Sequence, residues 1–485
     1  MNYSTSLKVR AQAERERRRR SGVDNKYRTF QEKYYSNPVA FVKNCIDWRE
    51  DDEGASVYQE EILSALPKER RVTVRGPHGL GKTALAAWIV LWFALTRDGR
   101  DWKIPTTASA WRQLTKFLWP EIKKWARRLK WDDIGRQEFN RYELLALSIK
   151  LETGEAFALA SDNSVMIEGA HADNLLYVFD ESKAIPDSTW DSAEGAFSTG
   201  DVYWLAISTP GEPQGRFYEV HKRSVGYEDW WVRHVRLEET IKAGRVSRKW
   251  AAQRKLQWGE KSAVYQNRVK GEFATSDEDG VIPLADVEQA IERWHAQQEI
   301  EAELEFTCVG VDVGRGGDNS VYAKRYEWYI DTLIKSNEKN IMPVAGRTKG
   351  ILIANGGYSV IDVIGIGAGV VDRLREQNMD ARSFNASERT NQRDSTGELG
   401  FTNKRSAAWW NMREILKNEP VALPPDDKLI GDLTAPKWRV MSGGKIQVES
   451  KEDIKKRLKR STDDGDAVVM SFFSSITGVD LIAFV

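Results

Sequence analysis

Gly76-Pro77-His78-Gly79-Leu80-Gly81-Lys82-Thr83 fits the pattern G-x-x-x-x-G-K-[ST]. In such a turn the glycines Gly76, Gly79 and Gly81 let successive backbone N–H groups face inward and cradle phosphate oxygens. Lys82 would bring a point charge to the β- and γ-phosphates, and the Thr83 hydroxyl would ligate Mg²⁺. The helix that follows adds its N-terminal dipole. A second element strengthens the reading. The apolar run Leu175-Leu176-Tyr177-Val178-Phe179 delivers Asp180 and Glu181 at its carboxyl end, where ligands bind in parallel sheets. Asp180 would hold the Mg²⁺ shell, and Glu181 would orient and deprotonate the attacking water. The chemistry is hydrolysis of a nucleoside triphosphate, taken here as ATP. Ser208 and Thr209 end a third strand and would touch the γ-phosphate, or form a plain turn with Pro210. Gln59 would hydrogen-bond adenine, or lie on a helix surface. Arg75, Arg112 and Arg216 are candidates for a charge-stabilising arginine, each with a structural pairing role as its alternative.

A second constellation is made of carboxylates. Asp312 lies within Val309-Gly310-Val311-Asp312-Val313-Gly314, and Asp362 within Val360-Ile361-Asp362-Val363-Ile364-Gly365. An ionised carboxylate in an apolar strand costs several kcal/mol unless it is paired or binds metal. Asp463-Asp464-Gly465-Asp466 opens a further apolar run. Asp463 and Asp466 are three apart and would share a helix face; Asp463 is alternatively the helix N-cap. Asp312, Asp362 and Asp466 from three elements suit a pair of divalent ions, Mg²⁺ or Mn²⁺, that cleave a phosphodiester. Asp318 is either an outer-shell helper or a turn residue.

The elements that must position these groups follow from periodicity. Arg71–Arg75 alternates with β-branched residues and reads as a strand; Thr83–Thr96 reads as a helix. Strands alternating with helical segments predict a largely parallel sheet covered on both faces. A chain of 485 residues calls for two or three domains. The expected division is a basic arm at 1–35 with the run Arg17–Arg20, a P-loop domain at 36–270, a connector at 271–302 and a second α/β domain at 303–485. Two cysteines and five histidines leave metal chemistry to carboxylates. No apolar run reaches the ~18 residues of a membrane span, and the N-terminus has no apolar signal region. The 72 basic and 72 acidic residues cancel, which at first sight speaks against a nucleic-acid partner. Sorting of charge along the chain answers that: carboxylates gather at the two sites, basic residues in the arm and between Lys451 and Arg460. That last run is either a solvated helix face or a rim that contacts phosphates. The 19 tryptophans read mainly as packing residues.

The ordered set resembles the large terminase subunit of tailed double-stranded DNA bacteriophages, from about residue 37 to 475. The likeness rests on Tyr58-Gln59, the P-loop, Val178-Phe179-Asp180-Glu181 and Ser208-Thr209-Pro210-Gly211. It continues through Val311-Asp312-Val313-Gly314, Ile361-Asp362 with Gly365 to Leu374, and Asp453 to Ala467. Thr462 and Gly465 depart from the family's usual Pro and Ala, so the closing helix is expected to start differently. The resemblance implies an α/β chain with an ASCE-type ATPase domain followed by an RNase H-like nuclease domain. It implies a motor that hydrolyses ATP to move double-stranded DNA into a procapsid and that cuts concatemeric DNA. Its partners would be a small terminase subunit, the portal protein and further copies in a ring, in the host cytoplasm and absent from the mature virion. Lys82, Thr83, Asp180 and Glu181 would run ATP hydrolysis, Ser208 and Thr209 would couple it to movement, and Asp312, Asp362 and Asp466 would hold metal. The competing readings are an ATP-dependent helicase or translocase with an accessory nuclease acting in repair, and an inactive assembly subunit.

Overall fold

The computed structural model describes residues 25–49, 52, 54–161, 170–198, 201–274, 279–300, 304–314, 319–338, 340–441 and 444–473. The arginine run at 17–20, Asp318 and Asp277-Glu278 of the expected connector lie outside them. The chain divides into two compact units. One comprises the described residues up to 250 with 267–274, the other 251–266 with those from 279 onward. Of the expected arm, residues 25–34 are helical, with Phe30 and Tyr34 buried. Residues expected in a connector form the helix Leu284–Ile300 of the second unit, because Leu284, Val287, Ala290 and Ile291 supply an apolar stripe that buries. Among the described residues no helix is long and apolar enough to cross a membrane.

The first unit is built on a seven-stranded sheet. Its strands are β1 (Arg71–Arg75), β2 (Trp102–Ala108), β3 (Ser148–Lys150), β4 (Gly154–Ala160), β5 (Asn174–Asp180), β6 (Asp201–Ser208) and β7 (Trp231–His234). Their spatial order is β3-β4-β2-β5-β6-β1-β7, parallel throughout except for the β3/β4 pair. Every residue of β5 is buried, which is why that strand reads as a continuous apolar run. The helix Lys82–Arg97 is buried from Leu85 to Arg97, so its apolar residues run all round it. β6 lies between the P-loop strand β1 and the acidic strand β5, as an ASCE-type sheet requires. Register pairs Arg75 with Ser208, and Asp180 with Ile207. The three functional strand ends therefore finish level at one edge.

The second unit has a mixed sheet of β8 (Phe306–Asp312), β9 (Ser320–Tyr326), β10 (Tyr329–Ile330), β11 (Ile334–Ser336), β12 (Tyr358–Asp362) and β13 (Ala381–Phe384). The order is β10-β9-β8-β12-β13, with β11 also on β9. β9 is antiparallel to β8, whereas β12 and β13 run parallel to it, the RNase H-like arrangement. A small sheet of β14 (Gly400–Phe401), β15 (Trp438–Met441) and β16 (Lys445–Val448) stands apart in the order β14-β16-β15. The helix Asp463–Phe472 packs on β8 and β9. A Cβ at Gly310 would collide with the Ala467 carbonyl oxygen, and one at Gly367 with that of Asp362. The glycines beside the aspartates are thus where another backbone must pass.

Candidate functional site

At the carboxyl edge of the first sheet, Gly79 and Gly81 adopt left-handed backbone (φ 83° and 86°), which glycine reaches without steric cost. Lys82 begins the helix, and its Nζ donates to Thr209 Oγ1 (2.7 Å) and lies 3.4 Å from a Glu181 carboxylate oxygen. Ser208 Oγ donates to the other Glu181 oxygen (3.0 Å). Lys82, Glu181, Ser208 and Thr209 therefore form one bonded ring, and Asp180 joins it by accepting the Glu181 backbone N–H (3.1 Å). Burial, then the charge of Glu181, pushes Asp180 up to about 7 against the pull of Lys82. Burial would also raise Glu181, but Lys82, Lys183 and the Ser208 hydroxyl hold it below the usual carboxylate value. Glu181 itself sits at φ 46°, ψ 49°, a backbone well that costs a non-glycine residue on the order of 1 kcal/mol and concentrates at functional sites.

The other residues fall around this ring with different fates. Thr83 is the second residue of the helix. Gln59 reaches the P-loop but is only 1% exposed, and its side chain is spent within the chain. Its Oε1 accepts from Ser56 N–H (2.9 Å), closing a helix capping box, and its Nε2 lies 3.4 Å from the Gly81 carbonyl. In this structure it braces the turn, and meeting a base would require both bonds to break. Arg75 donates to Glu272 (2.7 Å) and the Gly271 carbonyl. Arg216 pairs with Asp191 (2.7 Å), and Arg112 lies over the Phe117 ring (5.2 Å).

In the second unit Asp312 ends β8, Asp362 ends the adjacent β12, and Asp466 projects from the first turn of the helix that crosses β8. Asp463 is not the N-cap. Thr462 holds that position, and its hydroxyl instead donates to Asp466 Oδ2 (2.9 Å). The group that gathers the aspartates is Lys451. Its Nζ lies 3.0 Å from Asp312, 2.9 Å from Asp463 and 3.4 Å from Asp466. Arg405 Nη1 and Trp409 Nε1 both donate to Asp466 Oδ1 (2.5 and 3.1 Å). Burial lifts Asp312 well above, and Asp362 above, the normal carboxylate range. Burial acts on Asp466 in the same sense, but Arg405 and Lys451 overcome it and hold that residue low.

Lys451 and Arg405 are the functional neighbours that reading along the chain missed. Lys451 was legible only as one member of a basic run, and the structure turns it inward, away from any outer rim. Lys456 of the same run is exposed.

Among the described residues no group of three or more His, Cys, Asp or Glu is arranged to hold a metal ion as it stands; Lys451 is the cation the carboxylates share. The donor set still fits a hard divalent ion. Asp312, Asp362, Asp463 and Asp466 face Lys451 and Arg405, with Lys428 also acting on Asp463, so the carboxylates still outnumber the cations when all four are ionised. All-oxygen ligands of that charge suit Mg²⁺, Mn²⁺ or Ca²⁺.

No family model matches the chain. The probable large terminase subunit of Enterobacteria phage P7 is 24% identical over 464 residues, an alignment that spans 84% of this chain and 85% of that one. Among solved structures, the large terminase of a thermophilic bacteriophage in complex with ADP is 13% identical, with a TM-score of 0.40. It covers 86% of this chain and 99% of its own. The nuclease domain of the large terminase subunit gp2 of bacterial virus Sf6 is 18% identical with a TM-score of 0.35, covering 40% of this chain and 98% of its own. The fold assignment rests on the strand orders above. Along most of its length the chain is similar to this probable large terminase subunit of phage P7.

Proposed function

We propose that the chain is a DNA-packaging motor subunit with two hydrolytic centres. The first hydrolyses ATP to drive double-stranded DNA into a procapsid, and the second cuts concatemeric DNA. The observation that carries this reading is the pairing, in one chain, of the Lys82–Glu181–Ser208–Thr209 ring with the Asp312–Asp362–Asp466 cluster. In the first centre the P-loop N–H groups and Lys82 bind the phosphates, and Thr83 and Asp180 would hold Mg²⁺. Glu181, kept ionised by Lys82, aligns water and takes its proton. The Lys82–Thr209 and Ser208–Glu181 bonds must rearrange when phosphate enters, so β6 reports the state of the nucleotide to the rest of the unit. In the second centre Asp312, Asp362 and Asp466 would hold the metal, with Lys451 displaced from among them. A divalent ion there supplies activated water and charge stabilisation at the leaving oxygen.

This reading places the chain in a homo-oligomeric ring on the portal, with a small terminase subunit, in the host cytoplasm. The test is packaging of pre-cut linear DNA by purified procapsids and this protein. Wild type protects the DNA from added nuclease in an ATP-dependent manner, and Glu181→Gln does not. Protection of equal extent with Glu181→Gln would reject the motor assignment.

A further inference from the structure

A small cleft beside the carboxylate cluster is lined by Asp362, Asp466, Phe384, Trp409, Met470 and Arg405. Arg405 is 8% exposed and is fixed from several directions. Its backbone N–H donates to the Ala386 carbonyl (3.0 Å), in the loop after β13. It lies in the first turn of the helix Lys404–Asn418, which is capped by the Asn403 side chain. Its Nε donates to the Glu449 carbonyl (3.2 Å) just beyond β16, and its Nη1 to Asp466 (2.5 Å). The remaining nitrogen, Nη2, is buried and has no hydrogen-bond partner. A buried donor left unmade is destabilising, the more so when it is charged. Two bonds, from Nε and Nη1, hold the side chain itself, and Trp409 and Thr462 already serve the Asp466 carboxylate. The unmet donor therefore points to a ligand that arrives in the cleft. A planar guanidinium presents its N–H groups to phosphate oxygens with fixed geometry.

We infer that Arg405 is a catalytic residue of the nuclease centre, whose free Nη2 donates to a non-bridging oxygen of the scissile DNA phosphate. The inference rests on the nuclease reading of this cluster. In the step it serves, water oxygen bonds to phosphorus as one P–O ester bond breaks. One water proton is lost to solvent, and the leaving oxygen takes a proton up. Negative charge grows on the non-bridging oxygens as the phosphorus becomes five-coordinate, so a donor aimed there is worth more in the transition state than in the bound substrate.

The experiment is single-turnover cleavage of linear duplex DNA by the full-length protein across an Mn²⁺ titration. It compares wild type, Arg405→Gln, Arg405→Lys and Asp362→Ala, with thermal melting and ATP turnover measured on each. Arg405→Lys keeps a cation for Asp466 but loses the second N–H. The expected result is a rate at saturating Mn²⁺ about 10²-fold lower in Arg405→Gln and partly restored in Arg405→Lys. The Mn²⁺ half-saturation should rise as well, because Arg405 also orients Asp466, so the rate at saturating metal is the reading that decides. Recovery of full rate by raising Mn²⁺ would mean that Arg405 only holds Asp466, and a wild-type rate in either variant would mean that Nη2 touches nothing; both overturn the inference. If the glutamine variant melts early, the lysine variant decides alone, by rate at saturating metal. Absence of Mn²⁺-dependent cleavage in wild type, or its persistence in Asp362→Ala, would instead overturn the nuclease reading beneath it.

Discussion

Each of the two units sets a lysine among carboxylates, and the two lysines get there differently. Lys82 is the seventh residue of a local motif, held by a tight turn, and meets Glu181 and Thr209 because three parallel strands end level. Lys451 meets Asp312 across 139 residues of chain, from a short helix that carries both acidic and basic residues and buries Ile454. In the first unit the cation is part of the binding motif and stays when phosphate enters. In the second it is a counter-charge, and a metal must compete with it. The comparison teaches that similar local charge patterns answer opposite needs: one lysine awaits an anion, the other stands in for a cation.

The largest separation should come from the ligands themselves. Asp312→Asn should lower metal-dependent DNA cleavage by more than the ~10–100-fold typical of outer-shell changes, with ATP turnover unchanged; gel assays of both activities on one preparation decide it. Next, Lys451→Ala leaves Asp312, Asp463 and Asp466 without their shared cation. Breaking a buried pair costs on the order of 3 kcal/mol, so the metal-free second unit should melt earlier and regain stability with Mn²⁺ far more than wild type does. Equal Mn²⁺ responses would show that Lys451 and metal do not compete.

A smaller effect separates the units by pH. His221 is buried against Thr73 (2.9 Å), and burial, with Arg75 and His234 nearby, holds its pKa well below the normal 6.5. The unfolded chain therefore takes up the proton that the folded state refuses. Stability attributable to His221 is intact above pH ~6.5 and falls by about 1.4 kcal/mol per unit below it. His221→Gln should make that acid limb shallower by about one proton for the first unit's transition, His78 and His234 being lowered by burial too, and leave the second unit's transition unmoved. Smallest of all, charge reversal at Lys455 and Lys456 should lower the salt dependence of DNA binding by about one counterion per lost phosphate contact. An unchanged slope would mark that helix face as merely solvated.

Much of this was legible along the chain, for physical reasons. Phosphate binding needs a tight glycine turn, so residues 76–83 are contiguous. β5 is buried on both faces, so it appears as an unbroken apolar run ending in Asp180-Glu181. Gly310 and Gly367 mark backbone crossings that leave a trace beside Asp312 and Asp362. What was not legible depends on distant chain. The partners of Asp466 come from the helices at Lys404–Asn418 and Lys451–Leu458, and no spacing rule links them. Gln59 is instructive in another way. Its capping-box bond to Ser56 has the local spacing S-x-x-Q and could have been read, whereas its contact with the Gly81 carbonyl joins residues 22 apart and depends on the fold. The stretch to residue 300 reads as charged and helix-prone, but its narrow apolar stripe did not show that the helix Leu284–Ile300 packs within the second unit.

The central claim is that two independent hydrolytic centres share one chain. The most direct measurement is ATP turnover and Mn²⁺-dependent DNA cleavage, both recorded on the same preparations of wild type, Glu181→Gln and Asp362→Ala. The account predicts a crossed result: Glu181→Gln loses ATP turnover and keeps cleavage without nucleotide, while Asp362→Ala loses cleavage and keeps ATP turnover. Loss of both activities in either folded variant, or of neither, would contradict it.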